Sequence, residues 1–326
     1  MDQKRANGRY YTRGNPFKLT PFLNWADTLN FQQQNVLEPF AGAKDIPQLI
    51  ESAHLHCNKW GFYDIEPGAK GVQERDTLSD FPEGFKVCIT NPPWLARNSA
   101  TRRGLPFPKE TDYDDLYKFA LEKCLSNCDW VAAIIPEAFI RSGLFLKRLC
   151  DFISLVPDTS SGTAQDNKNR ITNYMFDDTE HPVGLALFAP DLSVDVRVWR
   201  NNRLLGTLGD LQKYLPTPSR NRDIVFNDPN GNLGLIAIDN TVSASIRFCS
   251  PAELGDYKVR THCRSITKIG VPWEVDIDDL NINLGRIREN THDVFLTAFK
   301  SIRRDGCYRR RLDWALARSI IEEVKC

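Results

Sequence analysis

Hydrophobic positions in the first part of the chain fall into two alternating textures. Short apolar runs predict strands near 35–39, 60–65, 86–90, 129–135, 153–157 and 183–189. Between them, apolar residues at three- and four-residue spacing predict helices over 21–33, 45–57, 113–126 and 142–151. Strand–helix alternation of this kind argues for a mainly parallel sheet covered by helices. Residues 1–20 read as an irregular basic arm, and the polar stretch 162–180 as a loop or insert. After Pro190 the pattern changes to short alternating runs (194–199, 233–238) with a turn signal at Asp228-Pro229-Asn230-Gly231. Apolar spacing over 290–324 suits one or two surface helices. The expectation is a doubly wound α/β domain over 1–190 and a smaller α+β domain over 191–326.

Composition narrows the function classes. Lys plus Arg number 42 and Asp plus Glu 42, so no global attraction to polyanions is expected. The first 190 residues are slightly acidic and the remainder slightly basic. Nine cysteines without a framework spacing predict reduced thiols and a cytoplasmic protein. No apolar run approaches the roughly 20 residues of a membrane span. The start Met1-Asp2-Gln3-Lys4-Arg5 has no apolar core of a signal peptide, so no membrane partner is expected. His54, His56 and Cys57 crowd one helix end, but their spacing is poor for coordination and no metal is expected. No paired carboxylates, nucleophile–base set or phosphate loop point to a hydrolase or a kinase.

Three segments carry candidate chemistry. In Val36-Leu37-Glu38-Pro39-Phe40-Ala41-Gly42-Ala43 a strand runs into a glycine turn and then a helix, where a doubly wound sheet lays a nucleotide-like cofactor against its backbone. Gly42 permits close approach, and the helix N-terminus favours a ligand carboxylate. Gly61-Phe62-Tyr63-Asp64-Ile65-Glu66 places an acid at a strand end about 20 residues later, where ribose hydroxyls are held. Asp64 and Glu66 compete for that role, and Asp76 is placed to accept from an adenine amino group. Finally, Asn91-Pro92-Pro93-Trp94 follows an apolar strand. An amide oxygen and a proline-fixed carbonyl are two acceptors for a planar ring's exocyclic NH2, and an aromatic offers a stacking face.

With these residues in this order, the chain resembles the S-adenosylmethionine-dependent amino-methyltransferases, in particular the N6-adenine DNA methyltransferases of gamma motif order. Gly8-Arg9-Tyr10-Tyr11-Thr12 resembles their N-terminal cofactor motif, and the resemblance assigns Tyr11, Thr12, Glu38, Phe40, Gly42, Asp64 and Asp76 to the cofactor. It assigns catalysis to Asn91, Pro92, Pro93 and Trp94. Residues 130–139 and His181–Phe188 resemble later strands of the same domain, so the likeness covers 8–190. One departure is Lys44, where the family often has a second glycine. The resemblance implies a seven-strand class I methyltransferase (Rossmann-like) domain and a C-terminal target-recognition domain. It implies methylation of a flipped adenine in double-stranded DNA, within a restriction–modification system whose endonuclease need not touch this chain. Arg102, Arg103 and Lys109 are candidates for phosphates beside the flipped base, and Phe139 for the ring opposite Trp94. Arg197, Arg200, Arg203, Arg220, Arg222, Arg303, Arg304 and Arg309 to Arg311 suit phosphate and guanine contacts, or else solvated faces. Methylation of RNA or of a glutamine side chain stays open, as does a catalytically silent nucleic-acid binder.

Overall fold

A computed structural model describes residues 15–156, 182–190, 195–255 and 265–325. The chain forms two compact units, Met1–Leu204 and Leu205–Cys326.

The first unit is built on a nine-stranded sheet whose last strand runs three residues past the 204/205 division: β1 (Asn35–Glu38), β2 (Lys59–Asp64), β3 (Gln73–Glu74), β4 (Val87–Thr90), β5 (Trp130–Pro136), β6 (Leu149–Leu155), β7 (Val183–Phe188), β8 (Arg197–Arg200) and β9 (Arg203–Thr207). Their order is 3-2-1-4-5-7-6-8-9. β1 runs parallel to β2 and β4, and β4 parallel to β5, whereas β7 is antiparallel to both β5 and β6. The first seven strands, in this order and with β7 reversed, are the arrangement of the class I methyltransferase fold. Chain order reverses between β1 and β4, and ligands of open α/β sheets bind at such a switch point. β4 and β7 are buried along their whole length, which is why they read as unbroken apolar runs.

Helices α1 (Thr20–Thr28), α2 (Asp45–Ser52), α3 (Arg97–Arg103) and α4 (Leu116–Asn127) accompany the sheet. α1 buries Phe22 and Trp25, whose indole N–H donates to the Phe188 carbonyl at 3.0 Å. It stops short of residue 33 because Asn30 turns left-handed (φ 54°), and the chain resumes as a short 3-10 turn at Phe31–Gln33.

Two expectations change. The helix expected over 142–151 is absent. Phe145 has a positive φ of 56° and β6 begins at Leu149. The Arg148 guanidinium reaches the carbonyls of Leu125, Cys128, Asp129 and Ala189, and these distant acceptors hold the chain out of a helix. The division between units falls at 204/205 rather than at 190. β8 pairs in parallel with β6, and Arg197 and Trp199 both donate to the buried Asp151 carboxylate (2.8 Å twice and 2.7 Å).

The second unit holds α5 (Leu208–Gln212) and an antiparallel sheet of β10 (Val225–Phe226), β13 (Ile266–Gly270), β11 (Leu233–Ile236) and β12 (Arg247–Cys249), in that spatial order. Helix α6 (Ile277–Thr291), the hairpin β14 (Thr297–Ile302) and β15 (Tyr308–Arg311), and α7 (Trp314–Glu323) complete it. Leu233, Leu235, Leu280, Leu284, Ile320 and Ile321 share its core. The stretch expected to give only surface helices therefore contains a hairpin and a helix with a buried face. Among the described residues no helix is long and apolar enough to cross a membrane, and no cluster of three or more metal-ligating side chains could hold an ion.

Candidate functional site

β1 ends on Glu38, and the turn that follows is held from several sides. The Ala41 N–H donates to the Tyr63 carbonyl (2.9 Å) and the Gly42 N–H to Asp64 Oδ2 (2.9 Å). The Gly68 N–H donates to the Gly42 carbonyl (3.0 Å), and a Cβ at Gly68 would sit 2.7 Å from that oxygen. Gly42 has φ 48° and Lys44 φ 63°. Lys44 occupies the left-handed conformation a second glycine would take, at a cost of about 1–2 kcal/mol. Its ammonium lies 4.2 Å from the centre of the Phe62 ring and faces the Lys70 carbonyl (3.5 Å), and the residue does not line the cavity described next. The departure from the family pattern is thus absorbed by turning the side chain aside.

A cavity of about 1030 Å³ opens along the ends of β1, β2 and β4. Glu38, Phe40, Gly42, Asp64 and Asp76 line it together with Asn91, Pro92 and Pro93. The glycine-turn residues and the first three residues of the tetrapeptide therefore share one space, although 53 positions separate Glu38 from Asn91 in the numbering. Glu66 lines the cavity too.

Glu38 dominates the electrostatics. It is 2% exposed, and its Oε2 has no hydrogen-bond partner among the described residues. Burial, reinforced by Asp45 and Asp64, pushes its carboxyl well above the usual range, against a smaller pull from Lys44. Asp45 opens α2, where a ligand carboxylate was expected, so this end suits a ligand's cationic group better than its anionic one. Asp64 accepts from the Gly42 and Glu66 N–H groups (2.9 and 2.8 Å), which fixes its orientation. Asp76 accepts from the Leu78 N–H and the Ser79 hydroxyl (3.1 and 2.9 Å), and the Thr77 hydroxyl ties this turn to the Pro39 carbonyl (2.9 Å).

Asn91 leaves the buried strand β4 at the cavity, and the residues after it are bracketed to the segment before α4. The Leu95 N–H donates to Asp115 Oδ1 (3.1 Å) and the Leu116 N–H to the Leu95 carbonyl (3.0 Å). Burial, with help from Asp114, lifts the Asp115 carboxyl to about 6 despite its two backbone donors and Lys118. The Arg97 guanidinium reaches the carbonyls of Thr111 and Tyr113.

The remaining expected residues are placed differently. Trp94 is 7% exposed and does not line the cavity. Phe139 is 1% exposed, packed among the rings of Tyr117, Phe152 and Phe188, so it is a core residue and offers no stacking face. Arg102 and Arg103 are exposed on the last turn of α3 and do not line the cavity. Tyr11 and Thr12 lie outside the described residues. Sequence reasoning missed Ile65, which is 58% exposed at the cavity, Leu78, and Leu105 to Pro108 with Glu110, whereas Lys109, expected beside phosphates, does line the cavity. Pro106-Phe107-Pro108 within that segment was the available signal, an aromatic fixed between two rigid residues.

No protein-family model and no curated protein matches the chain. Among solved structures, it is similar to a putative class I S-adenosylmethionine-dependent methyltransferase from Listeria monocytogenes (14% identity, 58% of this chain and 66% of that one, TM-score 0.36). It is also similar to a Thermoplasma acidophilum protein (14%, 55% and 95%, 0.30). A third is the ATP-dependent Type ISP restriction-modification enzyme LlaBIII bound to DNA (12%, 52% and 18%, 0.33). The chain thus spans less than two thirds of the Listeria protein and under a fifth of LlaBIII. The fold assignment rests on strand order and register.

Proposed function

We propose that the first unit binds S-adenosylmethionine in the cavity and methylates an exocyclic amino nitrogen, with N6 of a flipped adenine in double-stranded DNA as the target. The observation that carries this reading is the shared cavity: a buried carboxylate and a glycine turn at one part of the lining, Asn91-Pro92-Pro93 at another. The residues fit the cofactor. Glu38, with a buried oxygen that has no hydrogen-bond partner among the described residues, suits an ammonium group. Asp64, at the end of β2, suits the ribose hydroxyls, and the exposed Ile65 suits a purine face. Bound S-adenosylmethionine would supply an electrophilic methyl group and depart as S-adenosylhomocysteine, with one proton of the methylated amine passing to solvent.

Asn91 and Pro92 do the orienting. Their side-chain and main-chain oxygens each accept one N–H of the target amine, which draws the nitrogen toward tetrahedral geometry and directs its lone pair at the methyl carbon. Pro93 keeps the backbone from swinging away. Preorganised acceptors and positioning suffice, without a covalent intermediate. Trp94, buried and outside the cavity lining, takes no part in this orienting. DNA is favoured because the motif order matches the DNA enzymes and a second unit follows. Arg203, Arg220, Arg222 and Arg304 are exposed and suit phosphates, as do Arg102 and Arg103.

The test is transfer of labelled methyl from S-adenosylmethionine to mixed-sequence duplex DNA, with RNA and bulk protein in parallel and nucleoside analysis of the product. N6-methyladenine in DNA is the expected result. Label in RNA or on glutamine would retain the chemistry and replace the substrate. Asn91→Ala is expected to lower turnover about 100- to 1,000-fold with cofactor affinity retained; near-normal turnover would sink the mechanism.

A further inference from the structure

The two rings expected to hold a substrate base, Trp94 and Phe139, are both buried away from the cavity. The half-buried rings that do line it are Phe40, in the glycine turn, and Phe107. Phe107 sits in the wall formed by residues 105–110, every one of which lines the cavity. This wall has no regular secondary structure, so something else must fix it. Pro108 confines Phe107 to extended backbone, and Pro106 fixes φ one residue earlier. From α3, the Arg97 guanidinium lies 4.4 Å from the Phe107 ring centre. The same guanidinium donates to the Tyr113 carbonyl from Nε (3.1 Å) and Nη2 (2.9 Å), and to the Thr111 carbonyl. The Leu105 N–H closes the end of α3 on the Ala100 carbonyl (3.0 Å). A planar fork with fixed acceptors is a rigid prop, and it covers one side of the ring. Phe107 also lines the cavity.

We propose that Phe107 is a stacking platform for an adenine ring in this cavity, and that Arg97 is the positioning residue that holds it there. The inference rests on the function proposed above. Adenine can come from two sources, the cofactor and the target nucleotide, and either presents the same flat face.

The experiment compares wild type, Phe107→Leu, Phe107→Trp and Arg97→Met. It measures equilibrium binding of S-adenosylhomocysteine and of adenosine, and KM for mixed-sequence duplex DNA. Phe107→Leu is expected either to weaken binding of both compounds or to raise KM for DNA by about tenfold, while Phe107→Trp stays near wild type. A loss in S-adenosylhomocysteine and adenosine binding identifies the cofactor's adenine, and a loss confined to KM for DNA identifies the target's. Arg97→Met should reproduce the Phe107→Leu loss, and the double variant should be no worse than Phe107→Leu alone, which a merely structural arginine would not give. Wild-type values for Phe107→Leu in all three assays overturn the inference alone. A wild-type chain that binds neither compound and methylates nothing overturns the proposed function along with it.

Discussion

Glu38 and Asp239 are both carboxylates withdrawn from water, 2% and 0% exposed, one in each unit. Asp239 is saturated. It accepts from both terminal nitrogens of Arg288 (2.9 Å each), from Arg303 (2.8 Å), and from the N–H groups of Ser245, Ile246 and Arg310 (2.7 to 3.1 Å). Asp293 and Asp305 complete the neutralisation of the two arginines. Burial pushes the Asp239 carboxyl up, but the Arg288 and Arg303 guanidiniums and the Ser245 amide outweigh it and hold it at about 2. Glu38 has the reverse balance: desolvation and acidic neighbours prevail, and one oxygen is left without a hydrogen-bond partner among the described residues. A buried charge whose acceptor sites are filled from within holds a fold together. One whose sites are left open on a cavity is a cost the fold carries for a ligand.

The comparison breaks first at Asp239. Asp239→Ala would leave two guanidiniums buried beside a vacated position, and about 3–5 kcal/mol of stability should be lost, read by urea denaturation of the full chain. Asp239→Asn, which keeps the shape, should lose less. A loss under 1 kcal/mol in both would show that the arginines find other partners.

Glu38→Gln tests the opposite member. The cofactor-free chain should become more stable at pH 8, by about 1–3 kcal/mol, while S-adenosylmethionine affinity falls. The two carboxylates also carry opposite pH signs. The folded pKa of Glu38 lies above its unfolded value of about 4.3, so the native state binds the extra proton and stability falls as pH rises between the two values. Asp239, lowered to about 2, gives stability that is present above about 3.9 and lost as pH falls toward 2. A denaturation series from pH 4 to 8 should therefore be flatter in Glu38→Gln than in wild type. Equal slopes would place the uncompensated charge elsewhere. The smallest effect is expected at Lys44. Lys44→Gly relieves a left-handed side chain but loses the contact with Phe62 and adds chain entropy, so stability should move by less than about 1 kcal/mol and cofactor binding should not change.

The parts of the fold that could be read from the sequence are those dictated locally. β1 with its glycine turn, and β4 with Asn91 at its end, stand out because central strands are buried on both faces and punctuated by Gly and Pro. What was misread depends on distant partners. Arg303 and Arg310 look like a solvated basic run, yet they are buried, and Asp239 lies 64 and 71 positions away from them. Phe139, next to a strand end and a proline, has the same local context whether it faces a cavity or a core. The segment around Arg148 has helical spacing, but four carbonyls far along the chain decide its path.

Gly68 belongs to no motif, and nothing in its neighbourhood marks it out. Its missing side chain is nevertheless what lets two loops touch, since any larger residue would press on the Gly42 carbonyl from 2.7 Å. In a library of random variants, position 68 should be as intolerant as the turn it braces, while Lys44 in that turn drifts. Selection on a binding floor can thus fall as hard on the spacing between two loops as on any side chain that grips the ligand.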